Sequence, residues 1–256
     1  VDPQDAATES SRGQSHQDYT QFLDPNGLRG TRICVARRFF RPDALSAKLL
    51  EAALNEMKQL GATVVDFEDD LGKAGEPEWE MMQYEFKAGI NAYLAALGPA
   101  APVHSLQEII EFDARSPDRE LAFFGQEAMI KAQAKGPLTD KAYLDALARC
   151  RRLSRDEGID AVMNRLQLDA IVAPTGGPAA KTDHVYGDRD VGGSSTPAAV
   201  AGYPNITVPA GQVFGLPVGI SFFGRAWSEP VLLKIAFAFE QATQARKPPT
   251  LRPTVD

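Results

Sequence analysis

Residues 169–224 decide the fold, running from DAIVAPT (169–175) through SSTPAAVAGYPNITVPAG (194–211) to GLPVGISFFG (215–224). Ala170 to Ala173 is a short, fully apolar run, the pattern of a strand covered on both faces. Ile206 to Pro209 and Val218 to Phe223 are two further strand-like runs, and Gly211-Gln212 with Gly215-Leu216-Pro217 punctuate the turn between them. The stretch TPAAVA between the first strand and this pair reads as a helix. A strand, a helix and two more strands within 56 residues indicate part of an α/β sheet.

The chain upstream repeats this logic. Leu28 to Arg38 (LRGTRICVARR) reads as a strand with Ile33 and Val35 on one face. Asp43 to Leu60 carries Leu45, Leu49, Ala53, Met57 and Leu60 on a helical stripe, and Gly61 stands at its C-cap. Ala62 to Phe67 completes a β-α-β unit, which implies a parallel pair of strands under helices. The runs at 33–35, 64–67, 170–173 and 218–223 are therefore expected in one sheet. In the middle, Trp79, Met82, Phe86, Ile90, Tyr93 and Leu97 recur every three or four residues, as on one long amphipathic helix. Ser105 to Glu108 fits a capping box, Ser116-Pro117 opens a further helix carrying Leu121, Phe124 and Ala128, and another begins near Thr139. Ser228 is positioned to cap a final helix with Leu232, Ile235 and Phe239 inward. This predicts a polar lead at 1–27, then an α/β domain over 28–256 with a helical insertion at about 76–168.

Composition narrows the function. With 256 residues, 44% hydrophobic and 24% charged, the chain can bury a sizeable core. A net charge of −7 argues against a nucleic-acid surface, which needs clustered Lys and Arg. The one dense basic run, Arg149, Arg151, Arg152 and Arg155, is interleaved with acids and reads as a solvated helix face. No apolar run is long enough for a membrane span. Cys34 and Cys150 read as buried small hydrophobes. His16, His104 and His184 are far apart, so no metal centre is expected. The chain lacks an initial Met, and VDPQDAATESSRGQSHQDYT is of linker type, so it is expected to start inside a longer protein.

Two turns carry candidate chemistry. In GGSST (192–196), Ser194 and Ser195 precede Pro197 and a helical AAV. An N-cap serine, worth about 1 kcal/mol, accounts for Ser195 better than a nucleophile does, since only His184 offers a nearby base. In APTGGP (173–178), Thr175 and Gly176 emerge at the C-terminal end of a strand, where α/β folds place ligands, although a plain βα turn would look the same. The aromatics Tyr84, Phe86, Phe123 and Phe124 fit either helix packing or a pocket wall.

The segments DAIVAPT, AAVAGYPNITVPAG and GLPVGISFFGRAWSEPVLLKIAFAFEQAT resemble the closing segments of amidase signature enzymes, and Tyr84-Glu85-Phe86-Lys87-Ala88-Gly89 with Phe124-Gly125-Gln126-Glu127 is similar to the bacterial peptide amidase branch. The resemblance implies the C-terminal part of that fold, an α/β mixed sheet covered by helices. It also implies cleavage of a carboxamide, from a small molecule or a peptide, to acid and ammonia or amine. The family does this with a serine activated through a second serine by a neutral lysine, beside an oxyanion hole of backbone amides. None of those residues maps onto this chain. No catalytic residue, cofactor or metal is therefore expected, and the missing N-terminal half of the enzyme becomes the expected partner. The resemblance carries over a pocket wall only: Ser194 and Ser195, with Thr175 and Gly176 close by, and Tyr84 and Phe86 from a covering helix. A non-catalytic binding or scaffolding protein that keeps half of the fold is the alternative. The compartment, cytoplasm or periplasm, stays open.

Overall fold

A computed structural model describes residues 1–40, 44–69, 71, 75–187 and 192–249, with the side chains of 44 and 45 excepted. Asp43 and the stretch Asp188 to Val191, which the sequence reading used, lie outside the described residues. The chain divides into two compact units, one formed by residues 1–72 with 154–256 and the other by 73–153.

The first unit is built on a five-stranded sheet of order β2-β1-β3-β5-β4. Its strands are β1 (Arg32–Ala36), β2 (Thr63–Phe67), β3 (Ala170–Pro174), β4 (Asn205–Val213) and β5 (Leu216–Phe223). β1 pairs in parallel with β2 and β3, while β3–β5 and β5–β4 are antiparallel. The four runs expected in one sheet thus share it, with Ile206 to Pro209 added at the edge. Every residue of β3 is buried, as its unbroken apolar pattern demands. The register of the β4–β5 hairpin shifts between Pro209 and Gly211. Gly211 sits at φ +149°, a backbone that side-chain-bearing residues rarely adopt, and an added Cβ would lie 2.6 Å from Leu49 Cδ1 and force that side chain to move.

Helices cover both faces. On one side α1 (Ala44–Gln59) and α9 (Glu229–Thr243) bury Leu50, Leu54, Met57, Leu232, Ile235 and Phe239 with Ile33, Val35, Val172, Ile220 and Phe222. On the other, α7 (Asp160–Leu166) and α8 (Thr196–Ala201) bury Val162, Met163, Ala198 and Ala201 with Cys34, Ile171, Ala173 and Phe223. The alternation of faces along β1 and β3 follows directly from the two-residue period of a strand. Residues 154–168, grouped on sequence with the helical insertion, pack within this sheet unit. The lead forms two 3-10 turns, Ala6–Ser11 and Thr20–Phe22; Tyr19, just before the second, lines a cavity beside α9.

The second unit holds α2 (Gly75–Ala96), α3 (Leu106–Arg115), α4 (Pro117–Glu120), α5 (Glu127–Gln133) and α6 (Lys141–Arg151). Half of the expected capping box is present: Ser105 accepts from the Glu108 amide at 3.2 Å, while the Glu108 carboxylate accepts from the amide of His104, one residue before the cap, at 2.8 Å. Two expectations need correction. The helix opened by Pro117 stops after one turn at Glu120, so Phe123 and Phe124 lie outside any helix and are exposed. The stripe Trp79, Met82, Phe86, Tyr93 and Leu97 faces outward; α2 instead buries Pro77, Gln83, Tyr84 and Leu94. Periodicity identified the helix and misassigned its inner face. Among the described residues, no helix is long and apolar enough to cross a membrane.

Candidate functional site

The polar groups converge at the C-terminal end of β3. The Thr175 amide donates to the Gly219 carbonyl of β5 at 3.0 Å, which extends the sheet by one residue and turns the Thr175 side chain toward its neighbours. Ser221 Oγ stands 2.8 Å from Thr175 Oγ1 and 2.9 Å from Thr207 Oγ1, with 3.4 Å between the two threonines. Thr207 and Ser221 are direct cross-strand partners. Their meeting with Thr175 requires glycine at 219, because a Cβ there would lie 2.7 Å from Thr175 Oγ1 and 3.0 Å from Thr207 Cγ2.

The loop into α8 lies against the same strand end. The buried Ser194 hydroxyl donates to the Pro174 carbonyl at 2.6 Å, and a Cβ on Gly176 would approach the Gly192 carbonyl to 3.1 Å. The four candidates Thr175, Gly176, Ser194 and Ser195 therefore belong to one locality, with bare glycine backbone between them.

Ser195 occupies the N-cap position of α8, yet its hydroxyl caps nothing. The reason is local. Its backbone is α-helical (φ −72°, ψ −31°) instead of the extended form a cap uses, and Pro197 at the second helical position removes one of the two amides that could donate to it. Ser228 repeats the case: Pro230 follows two residues on, and the Ser228 hydroxyl turns back to the Arg225 carbonyl at 2.8 Å. The Ser195 hydroxyl is exposed, and among the described residues it makes no hydrogen bond to His184.

The far end of α8 is clamped. Arg155 Nε donates to the Ala201 carbonyl at 2.6 Å and its guanidinium lies 5.4 Å from the Tyr203 ring centre. The Tyr203 hydroxyl donates to Asp160 at 2.7 Å. Burial first, then this bond to a carboxylate, pushes the Tyr203 phenol up to about 12. Arg155, read on sequence as part of a solvated basic face, is thus a structural ligand of a helix end. Cys34 is buried on this side of the sheet, and burial pushes its thiol up to about 12, which makes it inert.

Tyr84 and Phe86 belong to the helical unit. The Tyr84 ring is buried there, 5.6 Å from the Tyr143 ring and 5.3 Å from Lys135 Nζ. Phe86 is on the outward stripe. Near the Tyr84 ring Lys135 pairs with Glu80 at 2.6 Å, and the Tyr143 hydroxyl donates to Glu85 at 2.9 Å.

Sequence reasoning missed Thr207, Ser221, Gly219, Arg155, Tyr203 and Asp160. The hydroxyl trio was available only through the β4–β5 register, which a bulge resets and no spacing rule supplies. Arg155 and Tyr203 lie far apart in the chain, with no local pattern that links them.

Comparison with known proteins gives the family of the chain. Residues 2–233 match the family model described as Amidase, and the chain belongs to that family. It is 43% identical to the crystal structure of native peptide amidase from Stenotrophomonas maltophilia, with a TM-score of 0.87 over 100% of this chain and 51% of that one. A peptide amidase in complex with the competitive inhibitor chymostatin is 44% identical, with a TM-score of 0.90 over 98% and 51%. A probable amidase of Arabidopsis thaliana is 35% identical over 97% of this chain and 45% of its own length. The chain spans about half the length of the relatives it matches.

Proposed function

We propose that this chain is the C-terminal part of an amidase that hydrolyses carboxamides, C-terminal peptide amides among them, to a carboxylic acid and ammonia or an amine. The observation that carries the reading is the 43–44% identity to peptide amidases across nearly the whole chain, at TM-scores of 0.87–0.90. Such similarity extends through both units and includes the loop into α8 and the β3 end.

In this reading the chain supplies a wall of the substrate pocket, and the nucleophilic serine, its serine relay and the lysine come from the other half of the enzyme. Ser194, Ser195, Thr175 and Gly176 form that wall on the sheet unit. The division has a physical basis. A serine is a weak nucleophile without an adjacent base, and the exposed Ser195 has none in hydrogen-bond reach among the described residues. By itself the chain is therefore inactive. The proposed partners are an amide substrate and the complementing N-terminal half.

A serine-directed fluorophosphonate probe tests this. The isolated chain should remain unlabelled, and the chain joined to a complementing half should be labelled on that half. Labelling of Ser195 in the isolated chain would refute the assignment.

A further inference from the structure

We propose that Thr175, Thr207 and Ser221 form a polar subsite that holds one neutral amide group of a peptide-like substrate, an inference that rests on the amidase reading above. Three observations carry it. First, the three hydroxyls come from three adjacent strands and meet at the strand end next to the loop into α8. Second, the hub, Ser221, is buried, whereas Thr175 is half-buried and Thr207 exposed, so the chain of hydroxyls leads from the sheet to the surface. Third, the neighbouring positions 176, 192, 193 and 219 are all glycine, which leaves flat backbone beside the hydroxyls.

The hydrogen-bond arithmetic gives the ligand class. Each hydroxyl has one proton and two lone pairs, and Ser221 makes two short bonds, in which it either accepts both or donates one and accepts the other. In every orientation one O–H of the trio has no short partner, because the bond from Thr175 Oγ1 to Thr207 Oγ1 is long and weak at 3.4 Å. If Thr207 donates to Ser221 and Ser221 to Thr175, the Thr175 proton is held only by the long bond to Thr207; in the reverse chain the loosely held proton is on Thr207, and if Ser221 accepts both it is on Ser221. The trio can thus present a donor or an acceptor at its open end. An amide group offers both a C=O and an N–H, and meets either orientation without transfer of charge. The trio contains no charged side chain, which favours a neutral group.

The test is an NMR titration of the isotopically labelled 256-residue chain with an N-acetyl dipeptide amide, and with an alkyl analogue of the same shape without amides. The dipeptide amide should shift the backbone signals of Thr175, Thr207, Gly219 and Ser221, and the alkyl analogue should not. Thr207→Val keeps the shape and removes the hydroxyl, so it should weaken binding about three- to tenfold, the equivalent of one neutral hydrogen bond. Thr207→Ser should restore it. Thr207 is exposed, so this pair decides the matter even if Ser221→Ala perturbs folding. Absence of shifts at millimolar peptide amide would overturn the proposal, as would shifts that Thr207→Val leaves unchanged. The amidase reading fails separately: trio binding without turnover in the reconstituted enzyme would refute that reading alone, and turnover with no KM change in Thr207→Val would refute the subsite alone.

Discussion

Two adjacent serines should respond very differently to the same substitution. The Ser194 hydroxyl is buried, 1% exposed, and donates to the Pro174 carbonyl at 2.6 Å, across 20 residues of chain. Ser194→Ala removes a net hydrogen bond and leaves a buried carbonyl without that donor, a loss of about 1–2 kcal/mol. For a body of this size that corresponds to a drop in Tm of about 2–4 °C per kcal/mol. The Ser195 hydroxyl is exposed and caps no amide, so Ser195→Ala should stay within about 0.5 kcal/mol of the parent. The chain's two tryptophans allow a clean assay, because Trp79 belongs to the helical unit and Trp227 to the sheet unit. In a Trp79→Phe background, urea unfolding followed by Trp227 fluorescence reports the sheet unit alone. A Ser195→Ala loss equal to or larger than that of Ser194→Ala would refute the argument and reinstate the N-cap.

Further outcomes follow from the same geometry. Gly219→Ala brings a Cβ within 2.7 Å of Thr175 Oγ1 and should cost about 1–3 kcal/mol by overpacking, read in the same urea experiment. Tyr203→Phe removes the bond to Asp160 and should cost about 1 kcal/mol, while Arg155→Met should cost more because the Ala201 carbonyl and the Tyr203 ring both lose their partner. Cys34 and Tyr203 both hold their protons up to about 12 in the folded state. Each pKa is raised above its unfolded value, so the associated stability is present at neutral pH and is lost as pH rises from about 9 towards 12. Urea midpoints at about pH 8 and about pH 11, on either side of the unfolded values, check the sign. Neither Cys34 nor Cys150 should react with a thiol reagent until the chain unfolds, since both are buried and burial raises both thiols.

The sheet was legible in the sequence because its strands are nearly pure apolar runs. DAIVAP can only be buried on both faces, and the β-α-β order around α1 fixes a parallel pair. The one-sided features were harder. On α2 the stripe from Trp79 to Leu97 is the more apolar face, yet the unit buries the face with Tyr84 and Leu94, since packing against α5 and α6 is set by shape and by pairs such as Tyr84–Tyr143. The cap errors at Ser195 and Ser228 share two features: proline two residues on removes one of the two amides a cap can serve, which the sequence does contain, and neither serine has the extended backbone of a cap, which it does not. The candidate wall residues Thr175, Gly176, Ser194 and Ser195 could be grouped from strand-end logic and family resemblance. Thr207 and Ser221 could not, because their register depends on the bulge at Gly211, and a one-residue slip of β4 would put Thr207 on the opposite face from Ser221.

The central claim is that this chain is one half of an amidase's working site and that the reacting groups lie in the other half. Ammonia release from a panel of carboxamides and C-terminal peptide amides tests it most directly, measured with the 256-residue chain alone, with a complementing N-terminal half alone, and with the two combined or fused. Turnover is expected only from the combination, with C-terminal peptide amides among the substrates. Ammonia release by the chain alone would contradict the claim, and so would a correctly assembled combination that hydrolyses no amide in the panel.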